Sequence, residues 1–222
     1  MSLINSLHNS KKDQDCYILA CGPSLNKYDN KETRELLKNK VVFSIKQAYE
    51  KFKEETDFHF WNCSNLPVDY MSIPYRYLDH RPEVIVASSN YPIGQRWNPD
   101  QKCDLFFQVP LIEKIGGRDN CLAAKRDYDD FLFEKTGDIR KTGPGIMLET
   151  VLYTAIHIGV KSITTIGWDL DKHGSHFYKE KEKAFMDNKG CEIPWDIILN
   201  SEAVPSIKGW LKTKDVELNI LS

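Results

Sequence analysis

No run of apolar residues in this 222-residue chain approaches the roughly 20 needed to cross a bilayer. Residues 1 to 15 are polar rather than built as a secretory leader, so a cytoplasmic protein without a transmembrane segment is expected. An excess of one charge is also missing. The 30 basic and 32 acidic residues are well mixed, for a net charge of -2, and the lysines between Lys181 and Lys189 alternate with acids. That leaves no electrostatic footprint for nucleic acid. The six cysteines (16, 21, 63, 103, 121, 191) form no C-x-x-C and no Cys/His pair at zinc spacing. They read as ordinary thiols, with Cys21 set apart because it lies in a motif. The G-x-G-x-x-G dinucleotide fingerprint is absent, as are internal repeats and low-complexity tracts.

What is present is a continuous unit from Arg140 to His176. Thr142-Gly143-Pro144-Gly145 offers a helix N-cap, a proline where a first-turn N–H would have no partner, and glycines that let backbone approach a ligand. Such a start attracts anions. Positions Ile146 to Ile158 are apolar nearly all round, which predicts a helix covered on most sides, ended by Gly159. The β-branched strand Ser162 to Ile166 then delivers Gly167-Trp168-Asp169-Leu170-Asp171 at its carboxyl end, the ligand edge of a parallel sheet.

The remaining pattern predicts strands at Asp15 to Ala20, Val41 to Ile45, Asp57 to Asn62, Glu83 to Ser88, Lys102 to Val109 and Val216 to Leu221. Helices are expected over Lys31 to Lys38, Gln47 to Phe52 and Val204 to Lys214, with a solvated helix or loop over Tyr178 to Asn188. Strands separated by short helical links imply an α/β fold with a doubly wound, mostly parallel sheet. The length suits a single domain spanning 1–222. The irregular stretch 91–139 is a candidate lid or edge insertion.

Cys21-Gly22-Pro23-Ser24 follows the first strand directly. Gly22 permits close approach, and Ser24 supplies a hydroxyl and an N–H at a helix start, so the loop is a phosphate-binding candidate as well as an ordinary turn. In right-handed βαβ topology it shares a sheet edge with Thr142 to Gly145, and Asn62 and Asp169 arrive there too. Two neighbouring anion sites fit a nucleotide with its phosphates. Asp169 and Asp171 suit ribose binding, Mg²⁺ coordination, proton transfer or a solvated turn. His173 and His176 titrate near neutrality but are equally at home as surface histidines. His59 reads as a hydrogen-bonded core residue, and Trp168 as packing, with stacking on a base as its alternative.

Cys21-Gly22-Pro23-Ser24-Leu25, together with Thr142 to His176, resembles two related groups. One is the bacterial lipooligosaccharide sialyltransferases, with a variant Rossmann domain carrying N-G-P-S-L, then T-S-G-V before an apolar helix, then a G-I-D strand end. The other is the motility-accessory-factor and hydroxymethylpterin pyrophosphokinase-like group, with G-P-S-L and a later G-x-D-L…G…H. The resemblance covers about half the chain. It implies a nucleotide-sugar-dependent glycosyltransferase with a CMP-sugar donor, in which Cys21, Gly22, Pro23, Ser24, Asn62, Thr142, Gly143, Gly145 and Asp169 bind the donor. The alternative it implies is ATP-dependent pyrophosphoryl transfer to a hydroxymethylpterin-like acceptor, with Asp169 and Asp171 on Mg²⁺; a third reading, a nucleotide-binding module without catalysis, is favoured by the missing histidine near Ser201. The chain departs from the sialyltransferase pattern at Cys21, where that group has asparagine, at Asp171, where it has tyrosine, and at Asn200-Ser201, where its late histidine would fall. A catalytic base is therefore expected from Asp171 or His176. The pattern fixes neither the acceptor nor an oligomeric state.

Overall fold

A computed structural model describes residues 2–62, 79–89, 103–108, 127–137, 139, 146–170 and 195–222, with backbone alone for 62, 89 and 195–202. Seven strands form one sheet: β1 (Asp15–Leu19), β2 (Val41–Ile45), β3 (Phe58–Asn62), β4 (Val84–Ser89), β5 (Leu105–Gln108), β6 (Ser162–Ile166) and β7 (Glu217–Leu221). Their order is β5-β4-β3-β2-β1-β6-β7, and every pairing is parallel. The expected sheet was mostly parallel; among the described residues it is wholly so.

The chain steps outward from β1 to β5 and then returns to the other side of β1 for β6 and β7. Two layers of helix follow from that reversal. Right-handed crossovers place the links on one face during the outward run and on the opposite face afterwards. Side chains confirm it. Leu25, Leu37, Ala48 and Phe52 from the early links pack with Leu19, Val42 and Ile166 on one face. Ile146, Leu148, Val151, Leu152, Ile207 and Leu211 from the late helices pack with Ile18, Phe43, Phe60 and Ile163 on the other. Phe43 lies between Phe58 and Phe60, with ring centroids 4.8 and 4.9 Å away.

The early links are short. A 3-10 turn spans Pro23–Tyr28, α2 spans Lys31–Leu37 and α3 spans Ala48–Lys51; α1 (Leu3–Leu7) precedes them. Asn30 caps α2, its side chain accepting from the Thr33 N–H at 2.9 Å. On the other face α4 (Phe133–Thr136) follows a 3-10 turn at Tyr128–Phe131. Tyr128, Phe131 and Phe133 all belong to the core. Within the stretch 91–139, then, β5 is the edge strand and Tyr128 to Thr136 pack beneath the sheet; the remainder lies outside the described residues.

The helix expected from Ile146 is present as a π-helical turn, Met147–Val151, running into α5, Leu152–His157. Every residue from Ile146 to Ala155 is buried, so its near-continuous apolar surface is accounted for. Its threonines cost little in that setting, because the Thr150 and Thr154 hydroxyls donate to the carbonyls of Ile146 (3.3 Å) and Thr150 (2.9 Å). The last helix, α6, runs from Trp195 to Lys212 and carries Pro205 inside it. The expected start at Val204 falls inside this helix, which begins nine residues earlier and continues through the proline. The stretch Tyr178 to Asn188 lies outside the described residues.

Candidate functional site

The strand order reverses between β1 and β6. In an open parallel sheet the crevice at such a switch point, beyond the carboxyl ends of the strands, is where ligands bind. Here it is bounded by the loop after β1, Cys21 to Ser24, and the loop after β6, Gly167 to Asp169.

These loops are tied together beyond the end of the ladder. The Ala20 N–H donates to the Ile166 carbonyl at 2.8 Å and the Gly22 N–H to the Gly167 carbonyl at 2.7 Å. The Ser24 N–H then donates to Asp169 Oδ2 at 2.8 Å, and the Ser24 hydroxyl donates to Asp169 Oδ1. Both oxygens of one carboxylate are thus engaged by one residue at the start of the 3-10 turn, where orphan N–H groups favour an anion. Ser24 is buried, while Asp169 is half-buried.

Two glycines make this closeness sterically feasible. A Cβ on Gly22 would run into the Asp169 carboxylate and lie 2.5 Å from the Gly167 carbonyl. Gly167 adopts φ +76°, and a Cβ there would lie 2.5 Å from the Ala20 carbonyl. The close approach that Gly22 allows is, in the first instance, to the protein's own β6 loop. Pro23 opens the 3-10 turn, where its missing N–H is harmless.

The other side of the β1 loop touches the end of β2. The buried Cys21 thiol donates to the Ile45 carbonyl at 3.1 Å, and its sulfur lies 3.8 Å from Gln47 Oε1. Between those two residues Lys46 takes φ +49°, with its N–H on the Phe60 carbonyl at 2.7 Å. His59 is fully buried, donates from Nε2 to the Lys46 carbonyl at 3.0 Å, and stacks on Tyr49 at 4.5 Å. Its expected role as a hydrogen-bonded core residue holds, and so does that of Trp168, which is buried against the late helices.

Asn62 ends β3 opposite Ser88, at the same carboxyl edge. The helix of Ile146 to His157 reaches that edge as well. Its carboxyl end packs at the opposite one, where Gly159 closes it and the Lys161 N–H donates to the Gln14 carbonyl at 3.0 Å. Twelve helical residues at about 1.5 Å each then carry Ile146 upward by roughly 18 Å. Glu149, buried in its first turns, is an acid that the apolar pattern does not single out. Cys21, Gly22, Pro23, Ser24, Asn62 and Asp169 therefore share one edge. Thr142, Gly143, Gly145, Asp171, His173 and His176 lie outside the described residues. Among the described residues no cluster of three metal-ligating side chains occurs, and no helix is long and apolar enough to cross a membrane.

Fold and edge together define a doubly wound α/β protein of Rossmann type with its crevice between β1 and β6. No family model matches the chain, and no curated protein matches it. Similar folds occur among solved structures. The sialyltransferase CstII from Campylobacter jejuni, solved with the substrate analogue CMP-3FNeuAc, aligns over 93% of this chain and 79% of its own, at 17% identity and a TM-score of 0.47. A MAf glycosyltransferase from Magnetospirillum magneticum aligns over 73% of this chain at 12% identity and a TM-score of 0.43; the match spans 24% of that protein's length.

Proposed function

We propose that the protein is a nucleotide-sugar-dependent glycosyltransferase of sialyltransferase-like type, taking a CMP-sugar as donor. The observation that carries this reading is the meeting of the Gly22-Pro23-Ser24 loop with the Gly167-Trp168-Asp169 loop at the switch point of a wholly parallel sheet. The motif resemblance at both loops supports the choice of donor.

In this reading Asp169 first shapes the β1 loop. Each of its oxygens keeps a second lone pair that can accept from a donor hydroxyl. Backbone N–H groups of Thr142, Gly143 and Gly145, which precede the helix in the sequence, meet the phosphate. The acceptor hydroxyl attacks the sugar's anomeric carbon as the bond to the phosphate oxygen breaks. The nucleotide leaves with that electron pair, and the acceptor proton passes to His176 or Asp171.

Pyrophosphoryl transfer from ATP would instead ask Asp169 and Asp171 to hold Mg²⁺. A thermal-shift screen of CMP, CDP, UDP, GDP and ATP, with and without Mg²⁺, separates the readings. A ligand at about 100 times its dissociation constant stabilises by roughly 2.7 kcal/mol. Stabilisation by CMP without metal is expected. A response to ATP alone, dependent on Mg²⁺, would favour the pyrophosphokinase, and binding without turnover of any donor would favour a non-catalytic module.

A further inference from the structure

We infer that Lys46 supplies the positive charge that holds the phosphate of the bound nucleotide, an assignment that rests on the donor reading above. Four described non-glycine residues have positive φ: Asn9, Asp13, Asp215 and Lys46. Asn and Asp tolerate that conformation through local hydrogen bonds, and these three sit in turns leading into strands. Lys46 is different in type and in place. It follows β2 at the carboxyl edge, and a lysine gains nothing locally from the left-handed region. Its backbone is held there by the Phe60 carbonyl and the His59 ring. Strain kept in place by its surroundings is a feature of ligand sites.

The residues on either side of Lys46 both contact Cys21, at 3.1 Å from the Ile45 carbonyl and 3.8 Å from Gln47. The backbone of Lys46 is therefore held between the β1 loop, through its two neighbours, and β3, through its own N–H and carbonyl. The lysine's charge has no ion-pair partner among the described residues. Among the described residues Lys11, Lys38, Lys40, Lys51, Lys53, Lys135, Lys161 and Lys214 pair with acids, whereas no ion pair involves Lys46. The other described lysines outside ion pairs (12, 27, 31, 208 and 212) are exposed, and Lys46 is half-buried. A half-buried lysine with no ion-pair partner among the described residues lowers its energy by meeting an anion. The N–H and hydroxyl that the β1 loop could offer an anion are already filled, since both groups of Ser24 are taken by Asp169. A phosphate arriving at this edge needs another cationic partner, and lysine meets phosphate as a compact point charge.

The test is calorimetric titration, at low and high salt, of the panel nucleotide that binds the wild-type protein tightest. It is applied to the wild type, Lys46→Met, Lys46→Arg and Lys46→Gly, with a melting temperature for each. Lys46→Met should weaken binding about 10- to 100-fold and flatten its salt dependence, the loss typical of a charge-assisted hydrogen bond. Lys46→Arg should stay within about threefold, because the charge remains. Lys46→Gly should raise the melting temperature by releasing the strained φ while losing binding as Lys46→Met does, a split that a merely structural lysine would not produce. Unchanged affinity and salt dependence in Lys46→Met and Lys46→Gly would remove Lys46 from the site and leave the donor reading intact. If no phosphate-bearing nucleotide binds the wild type, the donor reading falls and the Lys46 assignment with it.

Discussion

Ser24 and Asp169, 145 positions apart in the chain, are joined by two hydrogen bonds through the N–H and hydroxyl of the one and the two carboxylate oxygens of the other. The pair locks the loops that line the switch-point crevice. Asp169→Ala leaves a buried N–H and hydroxyl without their partner and should destabilise the fold by about 1.5–3 kcal/mol. Ser24→Ala removes one hydrogen bond of the two and should cost about 1 kcal/mol. Urea denaturation of both single variants and the double should give a coupling energy above about 0.5 kcal/mol, since residues in contact are not additive. Additive losses would mean that the two side chains act independently.

Gly22 and Gly209 make a matched pair. A methyl group at Gly22 collides with the Asp169 carboxylate and the Gly167 carbonyl, whereas one at Gly209, inside α6, meets nothing within 4 Å. Gly22→Ala should therefore lower the melting temperature and loosen the Ser24–Asp169 contact. Gly209→Ala should raise stability by about 0.5–1 kcal/mol, the helix preference for alanine over glycine. Equal effects at the two sites would contradict the close approach described for Gly22.

Two aspartates at the opposite edge should respond to pH with opposite sign. Hydrogen bonds from Lys40 first, then Ser162, hold the Asp15 carboxyl at about 2 against an ordinary value of 3.8. Its contribution is present above pH 3.8 and is lost as pH falls through about 2. Asp15→Asn should thus be the less stable protein at neutral pH, with the gap closing in acid. Burial raises the Asp57 carboxyl instead, opposed by the hydrogen bond from the Val42 N–H. The folded state then binds its proton more tightly than the unfolded one, so stability falls as pH rises from 3.8 through the raised value. Asp57→Asn should match or exceed the wild type at neutral pH and lose that advantage below pH 3.8. Acid and thermal denaturation of the two variants across pH 2 to 7 checks both signs.

The proton-transfer step is tested in the loop from Asp171 to His176. His176→Ala should lower turnover by at least about 100-fold, the lower range for removing a general base, with nucleotide affinity changed by no more than a few fold. His173→Ala should do little. Full turnover in His176→Ala would exclude that residue, and silence of Asp171→Asn as well would favour the non-catalytic module.

The sheet was largely legible in the chain because its signals are local. Val41 to Ile45 and Ser162 to Ile166 are short β-branched runs bounded by turns, and both strands occupy the expected residues. Neighbouring strands differ from expectation by a residue or a few at an end, where pairing rather than propensity decides. The last helix begins at Trp195 rather than at the expected Val204, and it carries Pro205 through its interior. The site was legible as an edge but not as a set of contacts. Nothing local to Gly22 says that its open side faces Asp169, and nothing local to Lys46 announces a positive φ, which is imposed by Phe60 and His59 from the next strand. Long-range hydrogen bonds of this kind leave no periodic trace.

The central claim, that a nucleotide binds at the β1–β6 switch point, is tested most directly by amide chemical-shift mapping of the labelled protein during titration with CMP. Perturbations are predicted at Gly22, Ser24, Lys46, Gly167 and Asp169, with Asp15, Val41 and Ser162 at the far edge unmoved. Saturable shifts confined to the far edge, or none at any nucleotide concentration, would contradict it.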